Sequence, residues 1–261
     1  MSIRAIVWGE NVHEQTSAVV REIYPDGMHR TIADALNAAP GINAETATLQ
    51  EPEHGLPQSR LEEADVLLWW GHAAHGEVED AVVERVVEAV WAGMGLIVLH
   101  SGHFSKVFKR LMGTPCGLTW REAGERERIW ITAPNHPIVS GLPAYFELDS
   151  EEMYGEPFAI PEPDETVMIG WFEGGEVFRS GVTYRRGAGK VFYFQPGHET
   201  YPTYHDTSIH KVLQNAVRWA HSSEPRLKDV TNAPNRPAEN ALEPLEVKGP
   251  RLHKDGEEGF R

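Results

Sequence analysis

Asp65-Val66-Leu67-Leu68-Trp69-Trp70-Gly71-His72-Ala73-Ala74-His75 decides the fold of this chain. Between Val66 and Trp70 no polar residue interrupts the apolar run, so both faces of the segment must be covered. That is the pattern of a parallel strand lying under helices. The period then changes. Over residues 77–91, Val78, Val82, Val86 and Val90 recur every four positions, with Glu79, Asp80, Glu84 and Glu88 off the stripe. This is an amphipathic helix. Gly95-Leu96-Ile97-Val98-Leu99-His100 is a second short apolar run, and residues 104–112 form a helix expected to turn Phe104, Val107, Phe108 and Leu111 inward.

The same alternation extends toward the N-terminus. Residues 3–8 read as a strand, 17–24 as a helix with Val19, Val20 and Ile23 on one face, 28–39 as a helix closed by Pro40-Gly41, and 45–49 as a strand. Repeated βα units predict an α/β fold: a flavodoxin-like, doubly wound, mostly parallel sheet with right-handed crossovers. After Met112 the rhythm shifts to strands at 128–132, 166–172, 177–184 and 190–194, some of them antiparallel, and a closing helix at 208–220. Beyond residue 222 periodicity vanishes and Pro, Asn, Glu and Lys dominate. The expected organisation is one domain over 1–221 and a disordered or extended tail over 222–261.

Composition narrows the function. A net charge of −15 over 261 residues lacks the basic footprint that nucleic acid requires. The apolar runs are too short to span a bilayer, and no basic-then-apolar leader opens the sequence. A single cysteine, Cys116, suits a reducing compartment, so a cytoplasmic location is expected. No Gly-rich phosphate loop or dinucleotide fingerprint is present, which leaves no nucleotide or flavin motif.

The placement of the 13 histidines is the main functional signal. His13 follows the first strand, His72 and His75 the third, His100 and His103 the fourth, and His198 the last strong strand. In doubly wound sheets ligands bind beyond the carboxyl ends of the strands. Four strand ends therefore bring histidine to one rim, joined by the carboxylates Glu10, Glu14 and Glu199 and by the stretch from Glu151 to Glu156. Imidazole and carboxylate together are the donor set of zinc and similar divalent ions, and equally a general acid/base pair near neutral pH. Each histidine taken alone reads more readily as a capping or loop residue bonded to backbone; their convergence on one rim is what points to a site.

Nucleophilic catalysis fits poorly. A serine elbow needs small residues two positions either side of the serine, and Ser101 has Leu99 and His103 there. Cys116 has no strand leading into it and reads as an incidental thiol. The aromatic residues Trp8, Trp69, Trp70, Trp171, Tyr154, Tyr201 and Tyr204 read as core or wall packing, with a minority able to stack on a sugar ring.

Several blocks carry a family resemblance: Val7-Trp8-Gly9-Glu10-Asn11-Val12-His13-Glu14, residues 65–72, residues 95–103, Glu152-Met153-Tyr154-Gly155-Glu156, residues 171–181, and Pro196-Gly197-His198-Glu199-Thr200-Tyr201-Pro202. In order, across about residues 3 to 221, they resemble the ThuA (trehalose-utilisation) family. The resemblance implies a class I glutamine amidotransferase-like fold. In those enzymes a cysteine at the elbow is the nucleophile and a late histidine its base. Here His100 stands where the cysteine would be, and His198-Glu199 stands near the late histidine position. The scaffold and pocket location are therefore implied, and glutaminase chemistry is not.

The resemblance also implies a role in disaccharide utilisation, in which sugars are oxidised to 3-keto forms. The expected function is a metal-assisted isomerase, lyase or hydrolase on a 3-keto glycoside, with zinc or manganese as the divalent ion. The alternative is a sugar-binding or regulatory protein that has lost catalysis. His72, His103, Glu152 and His198 are the expected metal ligands; His13, His100, Tyr154 and His198 the acid, base or orienting groups; Glu10, His75, Ser101, Glu199 and Tyr201 the contacts to substrate. The expected partners are a small sugar and, given apolar segments after Met112, further copies of the chain.

Overall fold

The computed structural model describes residues 2–227 and builds them around a nine-stranded sheet. The strands are β1 (Ile3–Gly9), β2 (Ile42–Thr48), β3 (Val66–Trp70), β4 (Gly95–Leu99), β5 (Thr119–Ile131), β6 (Tyr145–Gly155), β7 (Glu165–Phe172), β8 (Val177–Arg186) and β9 (Gly189–Phe194). Their spatial order is β2-β1-β3-β4-β9-β8-β7-β5-β6. Every pairing from β2 to β9 is parallel, and every pairing from β9 onward is antiparallel. The helices are α1 (His13–Thr16), α2 (Ala18–Ile23), α3 (Met28–Asn37), α4 (Gln58–Glu63), α5 (Asp80–Ala92), α6 (Lys106–Met112) and α7 (Thr207–Ala220).

All residues of β3 and β4 are buried, as their unbroken apolar sequence requires. One core layer packs α5 and α6 on the sheet, and a second packs α3 and α7 on the opposite face. On α5 the buried set is Val82, Val83, Val86, Val87 and Val90. This face is wider than the every-four stripe, because a helix lying on a sheet buries both adjacent rows. Each buried valine contributes about 1.5–3 kcal/mol of transfer free energy before ordering entropy is subtracted.

Three differences from the sequence reading matter. β5 begins at Thr119 rather than near residue 128, because the charged run Arg121-Glu122-Ala123-Gly124-Glu125-Arg126-Glu127 conceals a strand. β6 was not expected at all: its Glu and Asp residues break the apolar pattern, yet Glu151–Gly155 is buried throughout. Phe104, expected inward, is 45% exposed, because residues 100–104 form a 3-10 turn rather than the first turn of α6. Ser105 begins α6 instead, its side chain accepting from Phe108 N. Of the expected tail, residues 222–227 lie on the domain, with Leu227 N donating to Ala92 O at 2.9 Å, while residues 228–261 fall outside the described residues. No helix among the described residues is long and apolar enough to cross a membrane.

Candidate active site

Strand register places the site. Gly9 pairs with Trp70, Trp70 with Leu99, and Leu99 with Phe194, so four parallel strands end level with one another. The segments that leave them, at residues 10–14, 71–75, 100–103 and 195–199, therefore emerge on one rim. β6 reaches the same rim through Glu151, Glu152 and Tyr154.

Two buried carboxylates shape the loops. Glu10 accepts from the backbone N–H groups of His72 (2.9 Å), Ala73 (2.7 Å) and Ala74, which uses both of its oxygens. Expected as a substrate contact, it has both oxygens engaged by the 72–74 loop. Glu151 does the same for the loop after β9, accepting from Gly197 N (3.0 Å), His198 N (3.1 Å) and Thr203 Oγ1 (2.8 Å). The sequence signalled Glu151 only as one member of an acidic stretch.

His100 sits at the turn after β4 with φ of +48°, in the left-handed region that costs a non-glycine residue about 1–3 kcal/mol. This strained elbow is held by its ring: Nδ1 donates to Gln195 O at 2.8 Å. With Nδ1 so committed, Nε2 faces Glu152 Oε2 (3.0 Å) and the Tyr154 hydroxyl (3.3 Å), and when protonated it donates to the carboxylate. The Tyr154 ring stacks on His100 at 4.9 Å. Burial lowers the basicity of His100, but the hydrogen bond and charge of Glu152, with the charge of Glu151, outweigh it and raise the imidazole overall. Glu152 is correspondingly held low.

Among the described residues, two groups of three donors lie within 4.8 Å of one another: His100, Glu152 and His198; and His13, His72 and Glu199. His198 Nε2 lies 4.0 Å from Glu152 Oε2 and 3.8 Å from Glu199 Oε2. Its Nδ1 is 2.8 Å from Thr200 Oγ1 and 3.3 Å from Thr200 N. The Thr200 N–H can only donate, so Nδ1 accepts it and the ring proton faces the carboxylates from Nε2; a cation there would require the proton to move to Nδ1 and this contact to break. Burial, reinforced by the neighbouring His100, lowers His198 to about 4. Burial would raise Glu199, but the hydrogen bond from His72 and the surrounding imidazoles bring it down to about 2. Glu199 Oε2 is fully buried and hydrogen-bonded to nothing, and Glu152 Oε2, equally buried, meets only the two imidazoles.

The expected metal set is divided by this geometry. His72 belongs with His13 and Glu199; Glu152 and His198 belong with His100; His103 joins neither group. The His103 Nδ1 donates to Cys116 O at 2.7 Å, and burial lowers the ring to about 3. His75 is likewise lowered by burial, to about 4.

A pocket of about 370 Å³ opens over these groups, lined by His72, His75, Ser101, His103, Glu152, Tyr154 and His198. Ser101 faces it only partly, since its hydroxyl donates to Gly71 O at 2.7 Å. Tyr201 packs on His198, its ring 5.3 Å away, rather than on the pocket. The mouth carries Trp120 and Phe104, 65% and 45% exposed. Sequence reasoning missed both, because β5 was drawn too short and Phe104 was placed inward. Trp8 and Trp69, read as core or wall packing, stack on each other at 3.9 Å in the core, while Trp171 is exposed on β7.

The family model for trehalose utilisation, ThuA, matches residues 4–220. The chain belongs to the ThuA family. Its architecture agrees with that of a ThuA-like protein from Parabacteroides merdae, at 14% identity and a TM-score of 0.64, covering 88% of this chain and 93% of the other. A cytoplasmic protein from Salmonella typhimurium matches at 11% identity and a TM-score of 0.58, covering 84% and 100%. PurLQS from Thermotoga maritima matches at 15% identity and a TM-score of 0.51, covering 84% and 99%. At these identities the likeness shows the fold, which is the expected glutamine amidotransferase-like one. No curated protein matches the chain by sequence. In this ThuA member the turn after β4 carries His100, and the one cysteine, Cys116, is buried with its thiol on Thr114 O.

Proposed function

We propose that this ThuA protein acts in the cytoplasm on an oxidised disaccharide or glycoside, a 3-keto sugar of the kind trehalose would give, with one divalent cation on His100, Glu152 and His198. The observation that carries the reading is Glu152 Oε2, buried between two imidazoles at 3.0 Å from His100 Nε2 and 4.0 Å from His198 Nε2, with the His100 Nδ1 committed to a backbone carbonyl. Metal-bound histidines commonly give their second N–H to such a carbonyl. A cation at this point would act as a Lewis acid on a carbonyl oxygen.

The chain's own groups supply the rest. Trp120 and Phe104 offer apolar faces at the mouth on which a pyranose ring can stack. Tyr154 presents a hydroxyl on the pocket wall, able to donate a hydrogen bond to an oxygen that gains negative charge. His103, with Nδ1 committed to Cys116 O, has Nε2 as its only basic atom. Proton removal by this nitrogen requires a carbon acidified by an adjacent ketone, which an oxidised sugar supplies and trehalose itself does not. The family assignment supports the carbohydrate role, and the cytoplasmic description of the Salmonella protein supports the location.

Proton NMR in D2O with 3-keto trehalose tests this. Exchange at the carbon next to the ketone, slowed about 100-fold in Tyr154→Phe and His103→Gln, is expected. Binding of the sugar with no exchange above background would instead identify a sugar-binding protein without catalysis.

A further inference from the structure

Glu199 faces two ways. Its Oε1 lies 3.1 Å from His72 Nδ1 and 3.4 Å from His13 Nε2. Its Oε2 lies 3.8 Å from His198 Nε2, in the other donor group. One carboxylate, 4% exposed, therefore joins the two sets of three.

A hydrogen bond from His72 to Glu199 accounts for only part of this arrangement. It leaves His13 Nε2 buried without a partner and Glu199 Oε2 likewise. It also leaves the rings of His13 and His72 stacked at 5.1 Å. Two imidazole nitrogens gathered within 3.4 Å of one buried carboxylate oxygen form a donor set that a divalent cation can use. Tetrahedral donors bound at about 2.0–2.1 Å lie about 3.4 Å apart; the two separations here, 3.1 and 3.4 Å, lie at or just below that value.

We propose that the pocket holds two divalent cations, the second on His13 and His72, with the Glu199 carboxylate bridging it to the first. This rests on the reading of a cation at His100, Glu152 and His198. Glu10 and Glu151 make the arrangement rigid in advance, because they fix the backbones of the 72–74 and 197–198 loops through N–H groups that no cation uses. The two positions differ in access. The side chains of His13 and His72 are 24% and 34% exposed, whereas that of His100 is fully buried. The outer cation should therefore load and strip before the inner one.

The experiment uses the full chain without an affinity tag, stripped by chelator and reloaded with ZnCl2 or MnCl2, with bound metal counted by elemental analysis. The wild type should hold about two equivalents, and His72→Ala and His13→Gln about one each. The manganese form should give an exchange-coupled multiline EPR spectrum that collapses to an isolated six-line signal in either variant. Circular dichroism and melting curves on each variant establish that it is folded. About one equivalent in the wild type, retained in both His72→Ala and His13→Gln but lost in His198→Ala, would overturn the second site and leave the first reading standing. Two equivalents with uncoupled spectra would overturn the bridge. No metal under saturating ZnCl2 or MnCl2 would overturn both readings.

Discussion

Glu151 and Glu152, consecutive on β6, grip the same histidine from two sides: Glu151 Oε1 accepts from His198 N at 3.1 Å, and Glu152 Oε2 lies 4.0 Å from His198 Nε2. Strand alternation makes this possible, since neighbours on a strand point to opposite faces. One carboxylate sets the backbone and the other meets the ring.

Removing the backbone grip should damage stability. Glu151→Ala strands the N–H groups of Gly197 and His198 and the hydroxyl of Thr203 in a buried place, and should cost about 3–5 kcal/mol in urea unfolding. Glu151→Gln keeps one accepting oxygen and should cost less than half as much. Equal costs would mean that the hydrogen bonds to Glu151 do not hold the loop.

Trp120 allows the opposite test, a change in binding without a change in stability. Its ring is largely in solvent, so Trp120→Ala should leave the unfolding midpoint unchanged. Calorimetric affinity for a disaccharide ligand should fall about tenfold, the loss of one aromatic face. Unchanged affinity would remove Trp120 from the pocket mouth as a sugar contact.

Glu127 gives a pH signature. It is fully buried on β5, accepts from Ser180 Oγ at 2.9 Å, and leaves Oε2 unpartnered. Burial, then the charge of Glu151, raises its carboxyl well above 4.5. A carboxyl raised on folding binds its proton more tightly in the folded state, so stability is complete below the unfolded pKa and drains away as pH rises toward the folded one. Glu127→Gln should therefore become progressively more stable than wild type from pH 5 to pH 8 in denaturant titrations. A constant difference across that range would show that Glu127 does not carry a raised pKa.

Tyr154→Phe isolates one oxygen. The ring can still stack on His100, so melting temperature should hold within a degree or two, while turnover of a 3-keto substrate should drop about 100-fold. A loss confined to KM would make the hydroxyl a binding group instead.

The parallel half of the fold could be read directly, because uninterrupted apolar runs such as Val66–Trp70 allow few other structures. His13, His72, His100 and His198 were legible for the same reason: once the strands are drawn, their ends locate the rim. The antiparallel half was harder. β6 hides Glu151 and Glu152 in its core, against the rule that charge marks a surface, and the site repays that exception with loop positioning. Partnering within the rim was not legible either. Spacing along the chain cannot show that His72 faces His13 rather than His103, since that depends on the turn that Glu10 imposes on residues 72–74.

β6 is the outermost strand of the sheet, paired only with β5, yet it delivers Glu152 and Tyr154 to groups carried by β4 and β9. The rim is thus closed by an edge strand with a single ladder partner. An occupant of the pocket would tie that margin to the centre. Amide hydrogen exchange along β6 should accordingly slow much more on ligand binding than exchange along β3, where every residue is already shielded from solvent.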